Sequence, residues 1–218
     1  MKQLLILSAL AFTLLACDPE PAATTAPATP TTEEITPAKP DLTDRTYVPG
    51  ERVGLITGEM TAENVRAIYG ADQFVAATLN GPEGITYPGF HLFPGTDDEL
   101  SIALDSSGFY AHTYRPGSHW ASAGHGVRVG TSLEELVRLN GRPFSFSGFG
   151  WDYGGNVTDW QGGELEGHRV RLTYDENSIY EEDRAFMSNA LGDQIVSSDN
   201  THLENKGIRV NQVSMTSD

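Results

Sequence analysis

Ser132-Leu-Glu-Glu-Leu-Val-Arg-Leu-Asn-Gly141 is a short helix written with both of its ends. Ser132 suits the N-cap, where a side-chain oxygen takes an orphan backbone N–H, and Glu135 fits the far side of a capping box. Leu133, Leu136 and Leu139 fall on one helical stripe. Gly141 tolerates the left-handed conformation beyond a helix end. The same plan occurs earlier in Thr61-Ala-Glu-Asn-Val-Arg-Ala-Ile-Tyr-Gly70, with Val65 and Ile68 as the apolar stripe. An extended stretch precedes each copy, Arg52–Ile56 and Gly126–Val129. The match predicts an internal duplication.

After each helix the chain alternates like a strand. Phe74–Leu79, Gly89–Phe93, Glu99–Leu104 and Phe109–Tyr114 follow the first copy, with a Ser-Ser-Gly turn before the last of them. Pro143–Phe149, Val157–Trp160, His168–Tyr174 and Gly207–Met215 follow the second. Ser198–Lys206 reads as one or two helical turns. Many strands and few short helices predict an α+β fold, antiparallel sheet with short helices on one face. The duplication divides it into two tandem small α+β units, 45–120 and 121–218.

Upstream the composition changes. Residues 17–44 carry prolines 19, 21, 27, 30, 37 and 40 among Ala, Thr and Glu. Such a segment cannot bury enough apolar surface to offset its ordering entropy, so it reads as a disordered tether. Residues 1–16 have a lysine, an apolar run and a small residue, the plan of a secretory signal peptide. The run is short of the about 20 apolar residues that a spanning helix needs. Leu14-Leu15-Ala16-Cys17 resembles the bacterial lipobox, which implies cleavage before Cys17 and its lipidation. Palmitate or similar chains would then hold the protein on a membrane. The expected location is the cell envelope, on the inner or outer membrane of a Gram-negative cell, periplasmic or surface-facing. Asp18 resembles the inner-membrane retention signal of enteric sorting.

Cleavage there leaves 13 basic against 30 acidic residues, a net charge of −17. Nucleic acid and anionic headgroups both want a basic face, so neither is expected as a partner. Cys17 is the only cysteine, so no thiol remains for a disulfide, a nucleophile or a zinc knuckle.

Gly130-Thr-Ser-Leu-Glu-Glu-Leu-Val-Arg-Leu-Asn-Gly-Arg-Pro143 has the form Gly-x-Ser/Thr…Val/Leu…Gly-x-Pro. It resembles the signature of the BamE (SmpA/OmlA) envelope lipoproteins and of the related β-lactamase inhibitor protein fold. The first copy departs from it, with Ala71 and Asp72 after Gly70 and no proline. The resemblance implies a short helical pair on a small antiparallel sheet, in tandem in the inhibitor. It also implies a non-enzymatic protein that works by surface contact, as scaffold or inhibitor.

The densest candidate surface lies between Phe144 and Trp160. Aromatic rings alternate there with Gly148, Gly150, Gly154 and Gly155. Trp151, Asp152, Tyr153 and Trp160 are the candidate recognition residues, because rigid rings supply contact area at little entropic cost. The same rings also fit a bent strand pair with aromatics in the core, and Trp151–Gly155 reads as a turn.

Catalytic signatures are sparse. His112, His119 and His125 lie close in sequence but lack the His-Glu-x-x-His spacing of a metal site. Asp97–Glu99, Asp175–Glu176 and Glu181–Asp183 do not fit a calcium loop and read as solvated turns. No Gly-x-Ser-x-Gly elbow, phosphate loop or dinucleotide fingerprint occurs. The chain reads as a non-enzyme that needs no cofactor and no metal. The first functional expectation is a lipid-anchored interaction domain for another envelope protein. The alternative is a carbohydrate or peptidoglycan binder built on the same aromatics. A hydrolase with unrecognised carboxylates or histidines ranks third.

Overall fold

The structure, a computed structural model of the chain, describes residues 40–179 and 183–217. The expected signal peptide, Cys17 and the expected tether as far as residue 39 lie outside the described residues.

The chain enters through a small hairpin. β1 (Thr46–Val48) pairs antiparallel with β2 (Arg52–Val53), and β2 with β3 (Ile56–Thr57). Helix α1 (Ala62–Tyr69) follows, and then a meander. β4 (Phe74–Asn80), β5 (Thr86–Leu92), β6 (Leu100–Asp105) and β7 (Gly108–Thr113) pair antiparallel in chain order. β8 (Ala121–Ser122) returns to lie parallel to β1. Helix α2 (Leu133–Asn140) leads to β9 (Ser145–Ser147), β10 (Val157–Asp159) and β11 (Arg169–Thr173). Helix α3 (Arg184–Ala190), β12 (Ile195–Ser197) and β13 (Arg209–Thr216) complete the described chain. The fold is α+β. Its main sheet has six antiparallel strands in the order β11-β13-β7-β6-β5-β4.

The described residues on either side of the expected boundary between residues 120 and 121 belong to one compact unit. β13 pairs with β7 from Val213↔Thr113 to Thr216↔Tyr110, so the two halves share one sheet. Buried residues of α1 (Val65, Tyr69), α2 (Leu133, Leu136) and α3 (Phe186, Ala190) meet Phe90, Leu100, Ile102, Val170 and Val213 in one core. Trp120 shows why a cut there fails. Its ring is fully buried, and its Nε1 donates to the Asp98 carbonyl at 2.9 Å. The Arg45 guanidinium lies 4.1 Å from the Phe93 ring centroid and 5.3 Å from that of Trp120.

Both anticipated helices form over the expected residues, but their caps differ. Ser132 accepts the Glu135 N–H, while the Glu135 carboxylate turns to Arg138 at 2.6 Å instead of closing a box. The reciprocal box belongs to the first copy, between Thr61 and Asn64. Gly141 is left-handed (φ 73, ψ 0), and Gly70 takes another conformation at φ 97, ψ 152. Gly126–Val129 forms no strand, so the echo stops at the helix. The end of the expected tether is also structured. Asp44 pairs with Arg52 at 3.0 Å and accepts the Thr46 N–H, and Arg45 reaches back to the Leu42 carbonyl. Short Asp and Thr side chains that bond nearby backbone make this turn.

Alternation along β7, and along β13 beyond Gln212, leaves the main sheet two different faces there. Phe109, Ala111 and Thr113 of β7 point into the core beside Val213 and Met215 of β13. Tyr110, His112, Gln212 and Ser214 occupy the opposite face, across from the core.

Candidate functional site

That opposite face is the floor of a cleft of about 580 Å³. Tyr87, Tyr110, His112, Arg171, Gln212 and Ser214 line it from four strands, and Asn80 enters from the end of β4. One wall is the tip of the β4–β5 hairpin, Gly81–Gly84. The other is the loop Trp151–Asn156.

The loop is a tight turn, with the Gly154 N–H donating to the Trp151 carbonyl at 2.9 Å. It docks on β11 because Gly155 has no side chain. Gly155 sits at φ 80, and a Cβ there would lie 2.1 Å from the Leu172 carbonyl oxygen. That contact allows the Leu172 N–H to reach the Gly155 carbonyl at 2.7 Å. Arg171 Nε donates to the Gly154 carbonyl at 2.7 Å, and Trp151 Nε1 to the Gly148 carbonyl at 2.8 Å. The Trp151 and Tyr153 rings meet edge to face at 5.3 Å. Both rings are therefore held before any ligand arrives, which lowers the ordering cost of binding.

On the floor, Gln212 Nε2 donates to Ser214 Oγ at 3.0 Å, and Tyr110 Oη lies 3.3 Å from the same oxygen. The His112 ring lies between Tyr110 (5.4 Å) and Tyr114 (6.1 Å). Burial, with the charge of nearby His91 second, lowers the His112 pKa to about 4, so the ring is neutral at pH 7. Its Nδ1 is enclosed and has no hydrogen-bond partner among the described residues.

The anticipated recognition residues divide. Trp151, Asp152 and Tyr153 line the cleft, and Tyr153 is 38 % exposed. Trp160 is corrected from surface to core. It is 4 % exposed, packs on Phe144 at 4.7 Å, and donates its Nε1 to the His168 carbonyl at 2.8 Å. Phe144, Phe146 and Phe149 are core residues too. The segment thus serves both purposes, burying its strand aromatics and presenting those of its turn.

The three clustered histidines do not converge. His112 faces the cleft, His119 pairs with Asp98 at 2.9 Å, and His125 meets His168 edge to face. Asp98 and Glu99 are more than a solvated turn. Arg45 and His119 hold Asp98, and Arg115 holds Glu99 at 2.7 Å. Burial pushes both carboxyls up, but these hydrogen bonds and charges outweigh it and leave both pKa values lowered. Among the described residues no group of three or more His, Cys, Asp or Glu side chains is placed to hold a metal ion. No described helix is long and apolar enough to cross a membrane.

The sequence reading passed over Tyr87, Tyr110, Arg171 and Gln212 as site residues. The outward positions of their strands were legible from the alternation. Their meeting required the order in which the strands assemble. No family model, curated protein or solved structure matches the chain.

Proposed function

We propose that this chain is a lipid-anchored envelope protein whose globular part binds a glycan in the cleft between the β4–β5 hairpin tip and the Trp151–Asn156 loop. The observation that carries this reading is the composition of the cleft. Four aromatic side chains, Tyr87, Tyr110, Trp151 and Tyr153, share it with the amides of Asn80, Asn156 and Gln212. Sugar rings offer C–H faces that stack on aromatic rings, and hydroxyl groups that amides satisfy in both directions. The volume lies in the range of small-ligand sites, about 300–1,000 Å³. A mainly polar lining suits a hydroxylated ligand better than an apolar one. Anchoring through Cys17 would present the cleft to envelope saccharides, peptidoglycan among them. The reading is binding without catalysis.

The test is titration of the full chain, in detergent, with a panel of oligosaccharides, followed by tryptophan fluorescence and calorimetry. Saturable binding that Trp151→Ala abolishes in a folded protein supports the reading. A flat response across the panel and no retention on isolated cell-wall sacculi would defeat it.

A second reading keeps a protein as the partner, and the β4 edge favours it. β4 is paired along all seven residues on its β5 side and ends the sheet on the other. Phe74-Val-Ala-Ala-Thr-Leu-Asn80 has no charge and no proline to blunt that edge, and Val75 is 48 % exposed. Addition of a strand from a partner is the recognition mode such an edge allows. A stoichiometric partner recovered from detergent extracts and lost with Thr78→Lys would support this second reading.

A further inference from the structure

We infer that the cleft selects acidic sugars, with Arg171 receiving a carboxylate carried by the saccharide. The inference rests on the glycan reading of the cleft and adds the chemical class of its ligand.

Arg171 is the one cation among the residues that line the cleft. None of the ion pairs among the described residues includes it, although the chain holds 30 acidic residues against 14 basic. Its orientation is fixed from behind. Nε donates to Gly154 O at 2.7 Å and Nη2 approaches Trp151 O at 3.4 Å. Carbonyls take that edge of the guanidinium, and Nη1 has no partner among the described residues. A guanidinium with one edge anchored and the other open is preorganised for the two oxygens of a carboxylate.

The surroundings support the same chemistry. Arg171 stands opposite Gln212 on β13 and bridges to Asn156, so the guanidinium is flanked by two residues with amide donors. The register shifts directly after this pair, since Leu172 faces Val210 and Asn211 is left over. Such a bulge re-aims neighbouring side chains. Two carboxylates also border the cleft. Glu83 already accepts the Tyr153 hydroxyl, and Asp152 is exposed on the outer wall, where water and salt screen it. Arg171 is partly withdrawn from water, so its charge acts more strongly than theirs.

The experiment compares acidic and neutral sugars of matched size on the full chain in detergent. One pair is trigalacturonate and its carboxyl-reduced form. The other is N-acetylglucosaminyl-N-acetylmuramic acid and chitobiose. The expected result is about tenfold or more tighter binding of the acidic member of at least one pair, the range of a charge-assisted hydrogen bond. Arg171→Gln should bring the ratio of acidic to neutral affinity down to about one, whatever the loop it holds does to either affinity alone. Arg171→Lys, which keeps the charge should the Gln variant loosen the loop, should retain part of the preference. Equal affinity within both pairs overturns the inference and leaves the glycan reading standing. A sulfated trisaccharide that binds as well as the carboxylated one overturns the carboxylate assignment. Failure of every sugar to bind overturns both readings.

Discussion

The Tyr153 hydroxyl donates a 2.8 Å hydrogen bond to Glu83 Oε1, joining the two walls of the cleft across 70 residues of sequence. Both side chains are exposed, so the bond adds little to global stability. Tyr153→Phe should move the unfolding free energy by under about 1 kcal/mol. The same change frees the hairpin tip from the loop. Exchange of the hydrogen-bonded amides of Gly81, Ile85, Gly154 and Gly155 should quicken several-fold while the core strands keep their protection.

Gly155 and Gly162 both have positive φ, at 80° and 67°, but only Gly155 approaches another strand. Gly162→Ala meets nothing within 4 Å and should cost about 1–2 kcal/mol, the ordinary penalty of the left-handed region. Gly155→Ala adds a steric collision with Leu172 O. It should lower stability by at least about 2–3 kcal/mol and weaken ligand binding as the loop lifts. Denaturant titration of the two variants side by side checks the contrast. Equal losses would mean that the loop is not docked as described.

Trp151 and Trp160 separate recognition from packing. Trp160→Ala removes a fully packed ring and should cost about 3–5 kcal/mol. Trp151→Ala should cost well under half of that while binding is lost. Thermal melts and sugar titrations of the same two proteins make the comparison.

Acid should destabilise the domain through His112. Its folded pKa, about 4, lies below the ordinary value of 6.5, so the unfolded chain binds the proton more readily. The stability it contributes is complete above about pH 6.5 and is lost as pH falls toward 4. His168 acts in the same direction, because burial lowers its pKa as well. Unfolding free energies measured from pH 7 to 4.5 should decline, and His112→Gln should flatten part of that slope. A slope unchanged in the variant would remove His112 as its source.

Lipidation is tested outside the fold. Radioactive palmitate should label the chain in a bacterial host, and Cys17→Ser should abolish both the label and membrane retention.

The legible part of this fold was the part encoded locally. Thr61, Ser132, Gly70 and Gly141 marked two helices because caps act within one turn. The period-two alternation of Phe109-Tyr-Ala-His-Thr113 revealed a strand with one wet face. Helix α3 was missed, although Asp183 caps it and Phe186 and Ala190 are correctly spaced, since Arg-Ala-Phe-Met-Ser-Asn-Ala carries a weak apolar stripe. The cleft was half visible. Trp151, Asp152 and Tyr153 stood out as a turn rich in rings. Arg171 looked like an ordinary outward strand residue, and only β13 beside β11 brings it next to Gln212. Trp160 misled because a buried tryptophan and a presented one read alike in sequence.

The position of β13 has a consequence for biogenesis. It lies inside the main sheet between β7 and β11, one strand from the edge, yet it is made later than every other strand of that sheet. As the chain is synthesised, β4 through β7 can zip together early, but β7 must then wait with one side unsatisfied. The main sheet therefore closes only once residues 209–216 are available to pair with both β7 and β11.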